Sequence, residues 1–135
     1  MPDLAPLVQP AGLWYVSDGG PEPAANAVVG DDPCCLWLAP DRRLVVAYQP
    51  APPPDAAFVT DMTDGLSVFA LFAEPLLGMG ATLDPGLLRP GRCAQTLFAG
   101  VRVVLLPRPD ALHLFVERPL TRYLQDWFRQ AATAL

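Results

Sequence analysis

The 135-residue chain contains no lysine: all nine of its basic residues are arginine. Its only histidine is His113, and its cysteines number three, Cys34, Cys35 and Cys93. Without lysine there is no Walker-type phosphate grip, and Gly78-Met79-Gly80 and Gly91 do not form a G-x-G-x-x-G loop. With one histidine and no C-x-x-C, no zinc-ligand set is present. Three cysteines are too few, and odd in number, for a disulfide framework; adjacent Cys34-Cys35 could form a strained vicinal disulfide, but two reduced residues entering a strand are the commoner case. No apolar run approaches the roughly 18 residues that a membrane helix needs. Met1-Pro2-Asp3-Leu4 lacks the basic start and apolar core of a signal peptide, so a cytoplasmic chain is expected.

What is present is apolar and proline-rich. Hydrophobic residues make up 52% and charged ones 17%, so one domain has ample material for a core. An exposed apolar face covered by a partner would account for the apolar surplus. Seventeen prolines cluster in connections, well above the usual level of about 5%. Charge is uneven: residues 1–88 carry −9 and residues 89–135 carry +4, giving −5 in all. The net charge and the lack of a basic stripe disfavour nucleic-acid binding. Arginine suits ion pairs at a protein interface, because its planar fork grips carboxylates bidentately; an arginine-only set also follows from genome composition alone.

Residues 1–26, broken by Pro2, Pro6 and Pro10, read as an extended arm in which Leu13–Val16 adds at most a short strand; Ser17–Pro23 is a Gly/Pro/Asp loop. A single α+β domain is expected over 27–135. Ala27–Val29 is a weak strand, Cys34–Leu38 a strong one, and Arg43–Tyr48 its hairpin partner. The prolines of Gln49–Asp55 bar it from a sheet interior and make it a stiff crossover. Phe58–Met62 is a strand, and Leu66–Phe72, apolar on both faces except Ser67, is a central one. A short helix over Glu74–Met79 precedes a loop over Asp84–Pro90. Then come a hairpin of Cys93–Phe98 and Val101–Leu106 across Ala99-Gly100, and a strand over Ala111–Val116.

Leu120, Tyr123, Leu124, Trp127, Phe128, Ala131 and Leu135 fall on one face of a 3.6-residue period, the signature of a C-terminal amphipathic helix. If that face is buried, Trp127→Ala costs roughly 3–5 kcal/mol. The expected fold is therefore α+β, with a mostly antiparallel sheet built of ferredoxin-like, split β-α-β plait units. The strands from Cys34 to Met62 form a second, incomplete plait or extend the same sheet.

Few residues invite chemistry. Asp61 and Asp64 flank a turn and could act as a carboxylate pair, but aspartates at strand ends commonly cap turns. His113 could serve as a base, yet no serine, cysteine or carboxylate motif accompanies it. Arg92 beside Cys93 could activate the thiol; a cysteine at the start of a core strand is the commoner case. No catalytic, cofactor-binding or metal residues are assigned.

Three segments in combination carry a resemblance. Leu36-Trp37-Leu38-Ala39-Pro40-Asp41, Val59-Thr60-Asp61-Met62-Thr63-Asp64-Gly65 and Pro90-Gly91-Arg92-Cys93-Ala94-Gln95-Thr96-Leu97 together resemble the sarcosine oxidase gamma subunit family. Tyr123-Leu124-Gln125-Asp126-Trp127-Phe128 looks like that family's closing helix. The likeness spans about residues 27–135. It implies kinship with the folate-binding domain of the glycine-cleavage T protein and other aminomethyltransferases. It also implies a non-catalytic packing subunit of a hetero-oligomeric flavoenzyme that demethylates sarcosine or a related N-methyl amino acid.

The partners implied are alpha, beta and delta-type subunits, and FAD, FMN, NAD and tetrahydrofolate would belong to them, not to this chain. A stand-alone folate-binding-type module and a subunit of an N-methyl amino acid dehydrogenase are the alternatives. Two departures stand out. Arg42-Arg43 replace an acidic-aromatic pair, and the chain lacks the strand and helix that precede the Trp37 strand in the family, implying a truncated plait. The stretch Gly100-Val101-Arg102-Val103-Val104 has no counterpart of the aminomethyl-transfer carboxylate.

Overall fold

The structure is a computed structural model that describes residues 3–18 and 22–135. Strands form where β-branched, aromatic and leucine residues run between prolines and glycines. They are β1 (Leu7–Val8), β2 (Gly12–Ser17), β3 (Val28–Val29), β4 (Cys34–Ala39), β5 (Arg42–Ala47), β6 (Phe58–Asp61) and β7 (Leu66–Leu71). Helix α1 (Glu74–Gly80) follows, then β8 (Ala94–Phe98), β9 (Val101–Pro107), β10 (Leu112–Glu117) and helix α2 (Thr121–Ala132).

The fold is α+β, with two five-stranded sheets. One has the order β1-β7-β10-β9-β8 and the other β3-β4-β5-β2-β6. Every pairing is antiparallel. A split β-α-β unit would leave two parallel strands around a third; here α1 instead carries the chain from β7 to β8, on the far side of β10 and β9. The strands after Cys34 that were expected to extend one sheet or to begin a second plait make the second sheet.

The layers follow from side-chain alternation. On β7 all six residues are buried. Phe69 and Leu71 pack with Leu114, Leu124 and Phe128 on the helix side. Leu66 and Val68 pack with Leu13, Leu36, Leu44 and Phe115 between the sheets. Burying each such side chain is worth about 1.5–3 kcal/mol, so β7 is the strand on which both cores depend. Its one polar residue, Ser67, is satisfied by Thr121 Oγ1 at 2.5 Å, at the start of α2.

The N-terminal segment departs from the expected arm. Its prolines leave Leu7–Val8 and Gly12–Ser17 free to pair, and both do: β1 edges the first sheet, while β2 lies between β5 and β6 with Leu13 fully buried. The boundary expected at residue 27 therefore falls inside the sheet system. A strand does precede the Trp37 strand, so the expectation that it is missing is corrected. No helix precedes Glu74 among the described residues. The loop expected over Ser17–Pro23 includes Gly19, Gly20 and Pro21, which lie outside the described residues, as do Met1 and Pro2.

Because β5 and β6 flank β2, the proline-rich connection must cross it. Ala51 and Ala56 of that connection pack with Trp14, Val16 and Ala47 on the outer face of the second sheet. At Gly12 an added Cβ would lie 2.2 Å from the Trp14 ring, so the indole folds over the bare backbone.

The helix face is narrower than the periodicity suggests. Leu124, Phe128 and Ala131 are buried, Trp127 is half-buried, and Tyr123 and Leu135 are exposed. Tyr123 instead anchors the β8–β9 turn, donating its hydroxyl to the Ala99 carbonyl at 2.6 Å.

Candidate functional site

The two sheets are joined along one seam and part beyond it. Ala27 bridges Arg92, the Val28 amide donates to the Gly91 carbonyl, and the Cys93 amide donates to the Asn26 carbonyl, both at 2.9 Å. From Ala94 onward β8 turns away from the second sheet. One side-chain tie remains, from Gln95 Nε2 to the Leu38 carbonyl at 2.6 Å. Past it a groove of about 690 Å³ opens between the sheets. Leu97, Arg102 and Val104 line it from the first sheet, and Leu38, Ala39 and Arg42 from the second.

The electrostatics of the groove are mixed but led by arginine. Arg42 sits over the Tyr15 ring, 5.1 Å from its centroid. Burial pushes the Tyr15 phenol above its usual pKa; Arg42 pulls it back and Glu117 pushes it further. Tyr15 therefore stays a neutral hydrogen-bonding group, and the lining offers recognition by charge and contact instead of proton transfer near neutral pH.

A second polar cluster closes the far end of the sandwich. The Tyr48 hydroxyl and His113 Nδ1 are 2.8 Å apart, with the rings edge to face. Arg108 stacks over the Tyr48 ring at 4.4 Å and pairs with Asp31 at 3.3 Å. Asp32, whose peptide bond to Pro33 is cis, accepts the Tyr48 and Gln49 amides at 2.8 and 3.2 Å. Burial raises the Tyr48 pKa, and burial followed by Arg108 lowers that of His113. Both groups are held neutral. A tyrosine with a raised pKa is a poor acid, so the pair reads as a latch between the sheets and not as a catalytic dyad.

The other residues singled out from the sequence are dispersed. Asp61 accepts the Thr63 amide at 2.9 Å, and hydrogen bonding to the Thr63 side chain, then to its amide, lowers the Asp61 pKa; Asp64 is exposed in the same turn. Cys93 contacts the Trp37 carbonyl at 3.5 Å, and burial pushes its thiol up to about 11 despite Arg92. Cys34 is pushed up to about 12, and Cys35 is raised as well, each chiefly by burial. None is bonded to another cysteine. Gly78-Met79-Gly80 ends α1, where Gly80 touches the Phe98 ring. Among the described residues no three His, Cys, Asp or Glu side chains gather as metal ligands, and no helix is long and apolar enough to cross a membrane.

Sequence reasoning missed the groove, because Tyr15, Arg42, Gln95 and Arg102 come from four separate strands. The sole local hint is β8, where half-buried and exposed residues alternate and Leu97 stands 58% exposed.

The fold has a known counterpart. The chain is similar to a chain of the heterotetrameric sarcosine oxidase from Corynebacterium sp. U-96, whose structure is a complex with pyrrole 2-carboxylate. The TM-score is 0.77 and the sequence identity 18%, over 99% of this chain and 87% of that one. At that identity the likeness establishes the fold: two antiparallel sheets with helices on one face, as found within sarcosine oxidase. No protein-family profile matches the sequence, and no curated protein matches it.

Proposed function

We propose that this chain is a non-catalytic, gamma-type subunit of a sarcosine-oxidase-like flavoenzyme complex that oxidatively demethylates sarcosine or a related N-methyl amino acid. The observation that carries this reading is the two-way coverage, 99% of this chain and 87% of its counterpart. Each chain is nearly the whole of the other, which fits a small subunit better than a fragment of a large catalytic one. The surface fits too: Phe58, Leu97, Phe72 and Leu87 are each more than half exposed, the kind of apolar area a partner covers.

In this reading alpha, beta and delta-type chains are the partners in a cytoplasmic complex, and FAD, FMN, NAD and tetrahydrofolate are theirs. The competing reading, a stand-alone folate-binding-type module, draws on the open arginine-lined groove. Co-expression with the chains encoded beside it is the test. Co-elution with a yellow, flavin-containing complex that turns over sarcosine is the expected result, and oxygen consumption against dye reduction separates oxidase from dehydrogenase. A monodisperse monomer that binds folate tightly and ignores those chains would overturn the proposal.

A further inference from the structure

We infer that the free edge of β8 and the groove beside it receive an extended, acidic segment of a partner chain, which adds to the first sheet as a further strand. The inference rests on the subunit reading only for the source of that segment.

The edge itself is the first observation. Exposed strand edges are usually kept short, charged, proline-bearing or covered, because their unpaired amides and carbonyls recruit other chains. Three of the four edges here follow that rule: β1 and β3 are two residues long, and β6 is four residues ending on Asp61. β8 does not. It is five residues, Ala-Gln-Thr-Leu-Phe, without a charge or a proline. It pairs with β9 on one side only, and the Asn26–Val28 segment that covers the other side stops at Cys93.

The second observation is charge. In register, Leu97 lies opposite Arg102, and both line the groove. Arg102 is exposed and makes no ion pair among the described residues. Arg42 is exposed on the opposite wall, over Tyr15. Glu117 also lines the groove, on the strand next to Arg102, so the lining carries two arginines against one carboxylate.

On a chain of net charge −5 an acidic segment is repelled in general and drawn to this groove in particular. Strand addition gives affinity through the main chain and specificity through alternate side chains. With a period of two, every second residue of the added strand faces the groove. Those positions are acidic, and the residues between them are small and apolar.

The test uses acetylated, amidated Val-Glu-Val-Glu-Val-Glu as the probe and its Val-Lys counterpart as control, added to the full chain. Amide NMR shifts and slowed hydrogen exchange are expected at Ala94–Phe98 with the acidic peptide alone, weakening as salt rises. Arg102→Glu is expected to lower the affinity by about tenfold and the Arg42→Glu/Arg102→Glu pair by more, both with native spectra because the positions are exposed.

A backbone N-methylated acidic peptide, unable to donate to a strand, is expected not to bind. Equal binding of the Val-Lys or N-methylated peptide, shifts confined to other surfaces, or no binding at millimolar peptide would overturn the inference. If the peptide fails while wild type still co-elutes with a flavoprotein, the docking edge falls and the subunit reading stands.

Discussion

Phe128 and Trp127 are neighbours on α2, yet the structure predicts unequal costs for removing them. Phe128 is 5% exposed, with ring centroids 5.1 Å from Phe69, 5.5 Å from Phe98 and 5.5 Å from Trp127. Truncation leaves a cavity bounded by β7 and β8, each held in the sheet by its own neighbour and unable to collapse into it. Phe128→Ala is therefore expected to cost about 3–5 kcal/mol, of which the aromatic geometry supplies about 0.5–1.5.

Trp127 meets the Phe98 edge at 4.9 Å but is only half-buried. Part of its ring is already in water, so Trp127→Ala is expected to cost about 2 kcal/mol, less than a buried helix face implies. Urea unfolding separates the two. With a slope near 2 kcal/mol/M, Phe128→Ala moves the midpoint by about 2 M and Trp127→Ala by about 1 M. Equal shifts would refute this packing, because they require both rings to be enclosed and hence α2 to be rotated about its axis.

Three further outcomes follow from the same packing. His113 is held below its usual pKa by burial and by Arg108, so as pH falls through about 6.5 the unfolded chain takes a proton that the native one resists; stability should drop through that window and level off below the native value, and His113→Gln should remove that component of the pH slope, whereas identical slopes would refute the latch. The Cys93 thiol, pushed up to about 11, holds on the order of one thiolate in a thousand at pH 8; peptide mapping after iodoacetamide should find half-buried Cys35 modified first and Cys34 and Cys93 only on unfolding. A Cβ on Gly80 would lie 2.4 Å from the Phe98 ring, so Gly80→Ala should destabilise by about 1–3 kcal/mol despite alanine's better helix propensity, and a stabilised variant would show that the ring is free to move.

The strands and the closing helix were legible because each is written locally. Leu66–Leu71 shows two apolar faces and is buried on both; the Ala99-Gly100 turn sets the β8–β9 hairpin; the 3.6-residue period marks α2. What was not legible is pairing at a distance. β2 looked like part of an arm because prolines surround it, and nothing in Gly12–Ser17 states that β5 and β6 will flank it. The groove and the latch fail for the same reason: Tyr48 and His113 are 65 residues apart, and Arg42 meets the wall opposite Arg102 only because the sheets part at Gln95. Composition reported that arginines were present, not where the fold would gather them.

The charge asymmetry of the sequence acquires a physical meaning once its partners are traced. If the acidic first half existed to neutralise the arginine-rich second half, cross-chain ion pairs would be many. Among the described residues one ion pair, Arg108–Asp31, joins the halves; the other, Arg129–Asp126, lies within the second half, exposed on one helix, and is worth at most about 1 kcal/mol. Five aspartates accept backbone amides instead: Asp3 from Ala5, Asp32 from Tyr48 and Gln49, Asp41 from Asp18, Asp61 from Thr63 and Asp84 from Gly86. Arg118 is likewise committed, to the Thr63 and Leu66 carbonyls. Arg89, Arg92, Arg102 and Arg122 make no ion pair in the described structure. The fold thus ties five aspartates to backbone amides, within turns and across the chain, and leaves several guanidinium groups without an ion pair among the described residues, which is the arrangement a chain needs if carboxylates from a neighbour are to complete it.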